Sequence, residues 1–441
     1  MKTSTIPIEA TALGRFTTTK NDDYLDEWQL QLDATSTDAS HLHRIAQQLR
    51  SSEVPIAFPT ETVYGLGADA TRSEAVKGIY TAKQRPSDNP LIVHFASLAQ
   101  IRRTLVGKEA SPELTTDPIP SIYHPLIQRF WPGPLTILLP NPKHSVLAPE
   151  VTAGLSTFGA RIPRHLIALS LIQLADVPVA APSANASTKP SPTAAEHVAF
   201  DLDGSISTII DGGPCEVGVE STVVDGLTQP PLVLRPGGIS LEQIRHCPGW
   251  ETAAIGYRDV AETGSQPRAP GMKYRHYSPR APVYLYTTSS SLPSFDELSK
   301  LVNPSGTLGV VRTTCWGIND DGLIAVSRDV GNCANGALRH TDGPAFTRTF
   351  GFEGMLQGVQ QESHRRKLQK HTLDHPGRQV TLLDVDLGND IADIARGIFG
   401  ALRDLDQENV DAIIVEGIND TRDDLAAAVM NRLRKAAEVT I

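Results

Sequence analysis

The sequence predicts an α/β protein of two domains: a twisted sheet with its ligand site at strand ends, joined by a linker to a smaller parallel-sheet domain. Three observations carry that prediction. Between residues 40 and 249, short apolar strands run repeatedly into hydroxyl-bearing or basic residues: Phe58 into Thr60-Glu61-Thr62, Ala181 into Ser183-Ala184-Asn185, and two further strands close at Arg161 and Arg235. Residues 250–282 are rich in Gly, Pro, Arg and Tyr and read as a linker. From Val283 onward short strands alternate with helical stretches, the βα pattern of a small parallel sheet.

In chain order, residues 1–39 read as an irregular extension. A helix over 39–50 leads into a buried strand at Ile56–Phe58, which Pro59 stops because it has no N–H to pair. Gly65 and Gly67 are read as turn glycines. Thr71 with Glu74 has the form of a capping box, so a helix should begin near Arg72. Ala75, Val76, Ile79 and Tyr80 supply its apolar face, and Pro86 ends it by Arg85. Residues 91–95 resume as a strand with His94 opposite Leu91, Val93 and Phe95. The Pro/Ser/Thr-rich stretch 110–120 reads as a surface loop, and Pro125 suits the first turn of a helix ending near Trp131. Strands follow at 135–139 and 157–162, then the helix Leu166–Ala175 and a small-residue strand at 179–181. Further strands cover 206–210, 221–225 and 233–235, and Ser240 with Gln243 caps a short helix. In the second domain, 283–441, strands are expected at Val283–Tyr286, 307–311 and Ala412–Glu416, and helices at 391–404 and 424–437. Residues 332–378 are hydrophilic, contain His364-Arg365-Arg366-Lys367 and read as an exposed insertion.

Charge and composition remove several function classes. The chain of 441 residues carries a formal net charge of −10 and has no Lys/Arg-rich run, which disfavours direct tight nucleic-acid binding. Cys215, Cys247, Cys315 and Cys333 show neither Cys-x-x-Cys spacing nor a nearby His pair, so reduced thiols are expected rather than zinc or disulfides. No apolar run reaches membrane-spanning length. The first thirty residues lack the apolar core of a secretory signal and bring acidic residues early, at Asp22, Asp23 and Asp26. The expected location is the cytoplasm, with a mitochondrial pool left open.

Common catalytic signatures are missing. There is no Gly-x-x-x-x-Gly-Lys-Ser/Thr phosphate loop and no Gly-x-Ser-x-Gly elbow. Gly65-Leu66-Gly67-Ala68-Asp69-Ala70 fits a dinucleotide pattern in letters only, because the expected strand stops at Phe58 and the helix starts near Arg72. Asp384, Asp386 and Asp390 lack the glycine and distal glutamate of a calcium loop. What remains is four cations at separate element ends, Lys83, Arg85, Arg161 and Arg235, among loops rich in Ser and Thr. Taken singly, each has a plainer role: Lys83 and Arg85 complement a helix C-terminus, Ser183, Asn185 and Ser191 make turn bonds, and His94 sits in a core. Together they suit recognition of a phosphate beside a carboxylate, with the nucleophile brought by a substrate.

Seven ordered segments then resemble one family. They are Pro59-Thr60-Glu61-Thr62-Val63-Tyr64-Gly65-Leu66, Lys83-x-Arg85-Pro86, Asn89-Pro90-Leu91, Trp131-Pro132-Gly133-Pro134-Leu135-Thr136, Pro182-Ser183-Ala184-Asn185, Glu220-Ser221-Thr222 and Leu234-Arg235-Pro236-Gly237. Together they resemble the YrdC/Sua5 family of threonylcarbamoyl-AMP synthases, densely over residues 40–250. Residues 270–279 look like the linker of the long, Sua5-type form, and 283–441 are similar to its smaller Rossmann-like C-terminal domain. The resemblance implies a mixed-sheet YrdC-like catalytic domain that condenses L-threonine, bicarbonate and ATP to threonylcarbamoyl-adenylate and pyrophosphate. A tRNA threonylcarbamoyl-transferase assembly would then take the product to adenosine 37. It further implies that Thr62, His94, Arg161, the Ala181 backbone and Ser221 contact threonine, with Arg161 on its carboxylate. ATP would meet Lys83, Arg85, Asn89, Thr157, Ser183, Asn185, Ser191 and Arg235, with Lys83 and Arg85 in the catalytic role and Mg²⁺ arriving on the triphosphate. Tyr274 would touch nucleotide as the linker folds over the cleft like a lid. Two rival readings are a concave basic surface for double-stranded RNA, against which the acidic balance weighs, and a carbamoyl-transfer domain of the hydrogenase-maturation type, whose acylphosphatase and zinc-finger segments are not visible.

Overall fold

The computed structural model describes residues 1–18, 25–26, 28–107, 116–257, 276–303, 305–319, 324–326, 368–375, 378–421 and 424–441. Among these, an 11-stranded mixed sheet runs in the order Ser4–Pro7, Thr208–Asp211, Ile56–Phe58, Gly65–Asp69, Val179–Ala180, Ile92–His94, Thr157–Arg161, Leu135–Pro140, Thr222–Asp225, Leu232–Arg235 and Ala254–Ile255. Its central strands are buried throughout and short, as expected of apolar runs bounded by Pro, Gly and Thr. Helices Thr37–Ser51, Ser73–Lys83 and Leu166–Ala175 bury apolar residues in the same core.

The sequence expectations hold for most elements and fail where a distant partner changes the local outcome. Gly65 and Gly67 are not turn glycines. They lie in the strand Gly65–Asp69, antiparallel to Ile56–Phe58, and a Cβ on Gly67 would stand 2.6 Å from Phe58 Cε1 and 2.9 Å from Val179 Cγ1. Glycine is needed there for close approach of the Phe58 ring. Thr71 does not cap the helix Ser73–Lys83. Its hydroxyl donates to Asp69 Oδ1 at 2.7 Å, so a local turn takes the group that a capping box would use. Ser240 and Gln243 do form the expected reciprocal box.

The extension 1–39 is not irregular. Ser4–Pro7 adds a parallel edge strand beside Thr208–Asp211, while Gly14–Thr18 pairs antiparallel with Trp28–Leu32. Trp28 anchors the hairpin by donating from Nε1 to the Ala96 carbonyl at 2.7 Å. Ile8, Leu13 and Trp28 are buried, but they are spaced too widely among polar residues to show either strand or helix period.

The second domain holds a six-stranded sheet ordered Gln369–His375, Arg378–Asp386, Thr307–Arg312, Ala412–Glu416, Val283–Tyr286, Val439–Thr440. It is parallel except for the first pair. The end of the expected insertion therefore belongs to the sheet, as one arm of an antiparallel hairpin; residues 327–367, with the basic cluster at 364–367, lie outside the described residues. Asp384 pairs with Arg312 at 2.7 Å and Asp390 caps the helix Ile391–Gln407, which accounts for two of the three aspartates that mimic a calcium loop. No helix among the described residues is long and apolar enough to cross a membrane.

The two domains share a core. Val63, Val217 and Val219 from the large sheet's loops bury among the second domain's apolar residues. Gly218, at φ +79°, passes so close to the helix Ile391–Gln407 that a Cβ would lie 2.3 Å from Arg396 Cα. Arg403 pairs with Asp201 at 2.8 Å and Arg432 with Glu220 at 3.0 Å, both almost fully buried. The second domain thus backs the loops that carry the site.

Candidate active site

A cleft opens at the strand ends of the large sheet. Thr62, His94, Arg161, Ala181 and Ser221 line it, and so do Lys83, Arg85, Ser183, Asn185, Ser191 and Arg235. The sheet brings them together because Ile92–His94 and Thr157–Arg161 run parallel in register, placing His94 directly beside Arg161 at their carboxyl ends. Arg235 closes the strand Leu232–Arg235, paired with Thr222–Asp225, and its Nε and Nη2 both donate to the Ser221 carbonyl at 3.0 and 2.9 Å. Nη2 also reaches Ser221 Oγ at 3.0 Å.

Lys83 and Arg85 arrive from another direction. Lys83 is the last residue of the helix Ser73–Lys83, and Gln84 turns the chain at φ 51°, so Lys83 and Arg85 both enter the cleft. Lys83 Nζ donates to the carbonyls of Ser183 and Asn185 and reaches Asn185 Oδ1 at 3.3 Å, so three donors meet three acceptors. Burial first, and Arg85 second, push its pKa well below the usual lysine value. Burial likewise brings Arg85 and Arg235 down to about 10, so both stay charged at neutral pH.

Arg161 is 4% exposed; its Nε donates to the Gly133 carbonyl at 3.2 Å, and Nη2 lies 2.7 Å from Glu61 Oε1. That ion contact is not aligned as a hydrogen bond, so Nη2 and both Glu61 carboxylate oxygens lack hydrogen-bond partners within the protein. Burial, with Arg161 adding to it, lowers the His94 pKa to about 3. The imidazole is therefore neutral, and its Nδ1 has no hydrogen-bond partner inside the protein.

Two expected site residues, Asn89 and Thr157, are not among those lining the cleft, and a third is not described. Asn89 is buried behind Arg85: its carbonyl accepts from Arg85 Nε at 3.4 Å and from the Tyr80 hydroxyl at 3.1 Å. Thr157 sits at the opposite end of its strand from Arg161, paired with Pro140, about 13 Å away at 3.3 Å per residue. Tyr274 lies outside the described residues, as does all of 258–275 and with it most of the expected lid. From the linker's described end, His276 and Tyr277 line the cleft instead.

The sequence reading found no converging carboxylates, yet Glu61 and Glu220 both reach this region. Glu220 lines the cleft, accepts from Ser191 Oγ at 2.6 Å and pairs with Arg432. Against the opposing effect of burial, Arg432 and Arg235 hold its pKa at about 2. Both glutamates lie inside segments singled out from the sequence, but their cations are 100 and 212 residues away. Nothing local points to those pairings. The assembled site suits anions: Lys83, Arg85, Arg161, Lys189, Arg235 and several hydroxyls line a cleft whose lining acid, Glu220, is paired with Arg432.

Comparison with known proteins agrees with the geometry. The family model described as telomere recombination, Sua5–YciO–YrdC, matches residues 48–237, and the one described as the threonylcarbamoyl-AMP synthase C-terminal domain matches 239–438. The threonylcarbamoyl-AMP synthase of Schizosaccharomyces pombe is 42% identical over 413 residues, covering 91% of this chain and 89% of that one. The Bacillus subtilis enzyme of the same name is 39% identical, over 92% and 95% of the respective chains. The crystal structure of Pyrococcus abyssi Sua5 complexed with L-threonine superposes with a TM-score of 0.65 at 33% identity, with full coverage of both chains. With both domain types present in order, and the cleft assembled from the first and backed by the second, the chain belongs to the Sua5-type threonylcarbamoyl-AMP synthase family.

Proposed function

We propose that this cleft condenses L-threonine, bicarbonate and ATP to threonylcarbamoyl-AMP and pyrophosphate. The observation that carries the reading is the convergence of Lys83 and Arg85 from one helix end, and of Arg161 and Arg235 from two strand ends, on one cleft. The threonine amine takes up bicarbonate with loss of water to give a carbamate. A carbamate oxygen then attacks the α-phosphorus of ATP, and the bond from that phosphorus to the α,β-bridging oxygen breaks to release pyrophosphate. The protein supplies no nucleophile. It holds two anions in line and out of water, which by orientation alone lowers a barrier by roughly 7–11 kcal/mol. The cations offset charge on the transferring centre and on the departing pyrophosphate.

In this reading Arg161 takes the threonine carboxylate, with neutral His94, Thr62, the Ala181 backbone and Ser221 around it. The Pyrococcus structure complexed with L-threonine supports threonine as the amino-acid substrate. Lys83, Arg85, Ser183, Asn185, Ser191 and Arg235 face ATP, which enters as its Mg²⁺ complex. Asn89 acts through Arg85, by holding it. The product passes to a tRNA-modifying transferase in the cytoplasm. Pyrophosphate release that needs both L-threonine and bicarbonate tests the reaction; release with either one omitted would overturn it, and equal rates with serine or glycine would overturn the amino-acid assignment.

A further inference from the structure

Among the described residues, none that lines the cleft comes from beyond Tyr277, yet the C-terminal domain grips the loop that carries Ser183, Asn185 and Ser191 at several points. Arg403 donates to the Pro190 carbonyl and pairs with Asp201. Asp406 takes Lys189 at 3.3 Å. The third contact reaches the cleft itself. Arg432, on the helix Asp424–Ala436 and 1% exposed, places Nε 3.0 Å from Glu220 Oε2 and donates from Nη1 to the Pro236 carbonyl at 2.6 Å. The other Glu220 oxygen receives the Ser191 hydroxyl proton. The Arg432 guanidinium lies 6.0 Å from the Tyr277 ring centroid, and Tyr277 also stacks on Phe399 of the C-terminal domain at 5.1 Å.

From this geometry we infer that Arg432 is a positioning residue for the reaction: it pairs with and orients Glu220, which in turn fixes Ser191, and it packs on the linker residue Tyr277 on the nucleotide side of the cleft. The inference rests on the proposed function only in placing ATP beside Ser191. Burying a carboxylate next to a triphosphate site is counterproductive unless a cation neutralises it, and Arg432 is that cation. The Ser191 proton is committed to Glu220, so Ser191 meets the nucleotide as an acceptor, suited to a hydroxyl or amino group. The charged or titratable groups facing Glu220 are Arg432, Arg235, Tyr277 and His276. With Arg432 gone, the opposing effect of burial raises the pKa of the carboxyl, and while it is still ionised it stands without its cation beside the triphosphate.

The test uses the full chain and threonine- and bicarbonate-dependent pyrophosphate release. Arg432→Met should raise the KM for ATP about tenfold, the loss of one well-made hydrogen bond to a charged group, and change the KM for threonine little. Its kcat/KM for ATP, taken as a ratio to wild type at each pH so that substrate ionisation cancels, should rise as the pH falls, because protonation removes the unpaired carboxylate. The double variant Arg432→Met with Glu220→Gln has no buried unpaired charge and should flatten that ratio and recover most of the KM. As a control, Arg312→Met breaks a buried pair with Asp384 in the same domain and away from the cleft, and should lower Tm without moving either KM. A pH-independent ratio in Arg432→Met, or a double variant no better than the single one, overturns the inference. Where Arg432→Met proves unstable, Arg432→Lys takes its place: the ratio stays flat but the KM for ATP still rises, because one ammonium cannot serve Glu220 and Pro236 together. A wild-type KM there also overturns the inference. A wild-type protein that releases no threonine-dependent pyrophosphate overturns the proposed function instead.

Discussion

Replacing Arg161 by alanine should affect stability and threonine use together, for one structural reason. Glu61 is 1% exposed and its carboxylate lies against Arg161, 2.7 Å from Nη2. Removing the cation strands a buried anion, which costs about 3–5 kcal/mol. In a domain of this size each kcal/mol moves Tm by about 2–4 °C, so Tm should fall by about 6–20 °C. Adding Glu61→Gln removes the stranded charge, and the double variant should regain at least half of that loss, which calorimetry can read directly. Activity should divide along the same line. Losing hydrogen bonds to a charged carboxylate costs about 1.5–3 kcal/mol, so kcat/KM for threonine should drop about 10- to 150-fold while the KM for ATP stays nearly unchanged. Threoninol, which lacks the carboxylate, should be discriminated against by wild type and much less by Arg161→Ala. Equal losses in threonine and ATP use, or a double variant no more stable than the single one, would refute this account of Arg161.

Other expectations follow from the same cleft. Arg85→Ala should mainly abolish nucleotide use, read as the KM for ATP, and leave threonine binding measurable by calorimetry. Gly67→Ala should cost about 1–3 kcal/mol by overpacking Phe58 and Val179, and should also raise the KM for threonine, because Phe58 meets His94 edge-on at 6.2 Å; an unchanged Tm would contradict the packing argument. Burial holds His94 and His276 down to about 3 and His165 and His197 down to about 4, against 6.5 for a free imidazole. The unfolded chain therefore binds more protons on acidification, so their contribution is intact above about pH 6.5 and is lost towards pH 4, at roughly 1 kcal/mol per histidine per pH unit. Tm measured from pH 7 to 5 should fall accordingly, and His165→Asn with His197→Asn should make the decline shallower.

Much of the site was readable from residues in sequence because its parts sit at element ends. Pro59 and Pro86 mark where a strand and a helix stop, so Thr62 could be placed on a loop and Lys83 and Arg85 at a helix C-terminus without knowing their neighbours. The Ser240–Gln243 box was equally local and formed as expected. The failures share a cause. Thr71 had a closer competitor in Asp69, and Gly65 and Gly67 answered to a ring from the adjacent strand.

Local chain chemistry by itself determined where elements begin and end, which residues face loops, and that the inventory suits anions. Only the tertiary structure decided which cations meet which acids. Glu61 with Arg161, and Glu220 with Arg432, are joined by packing across 100 and 212 residues. Periodicity and capping depend on neighbours within a few positions, whereas a buried ion pair depends on which distant surfaces exclude water together.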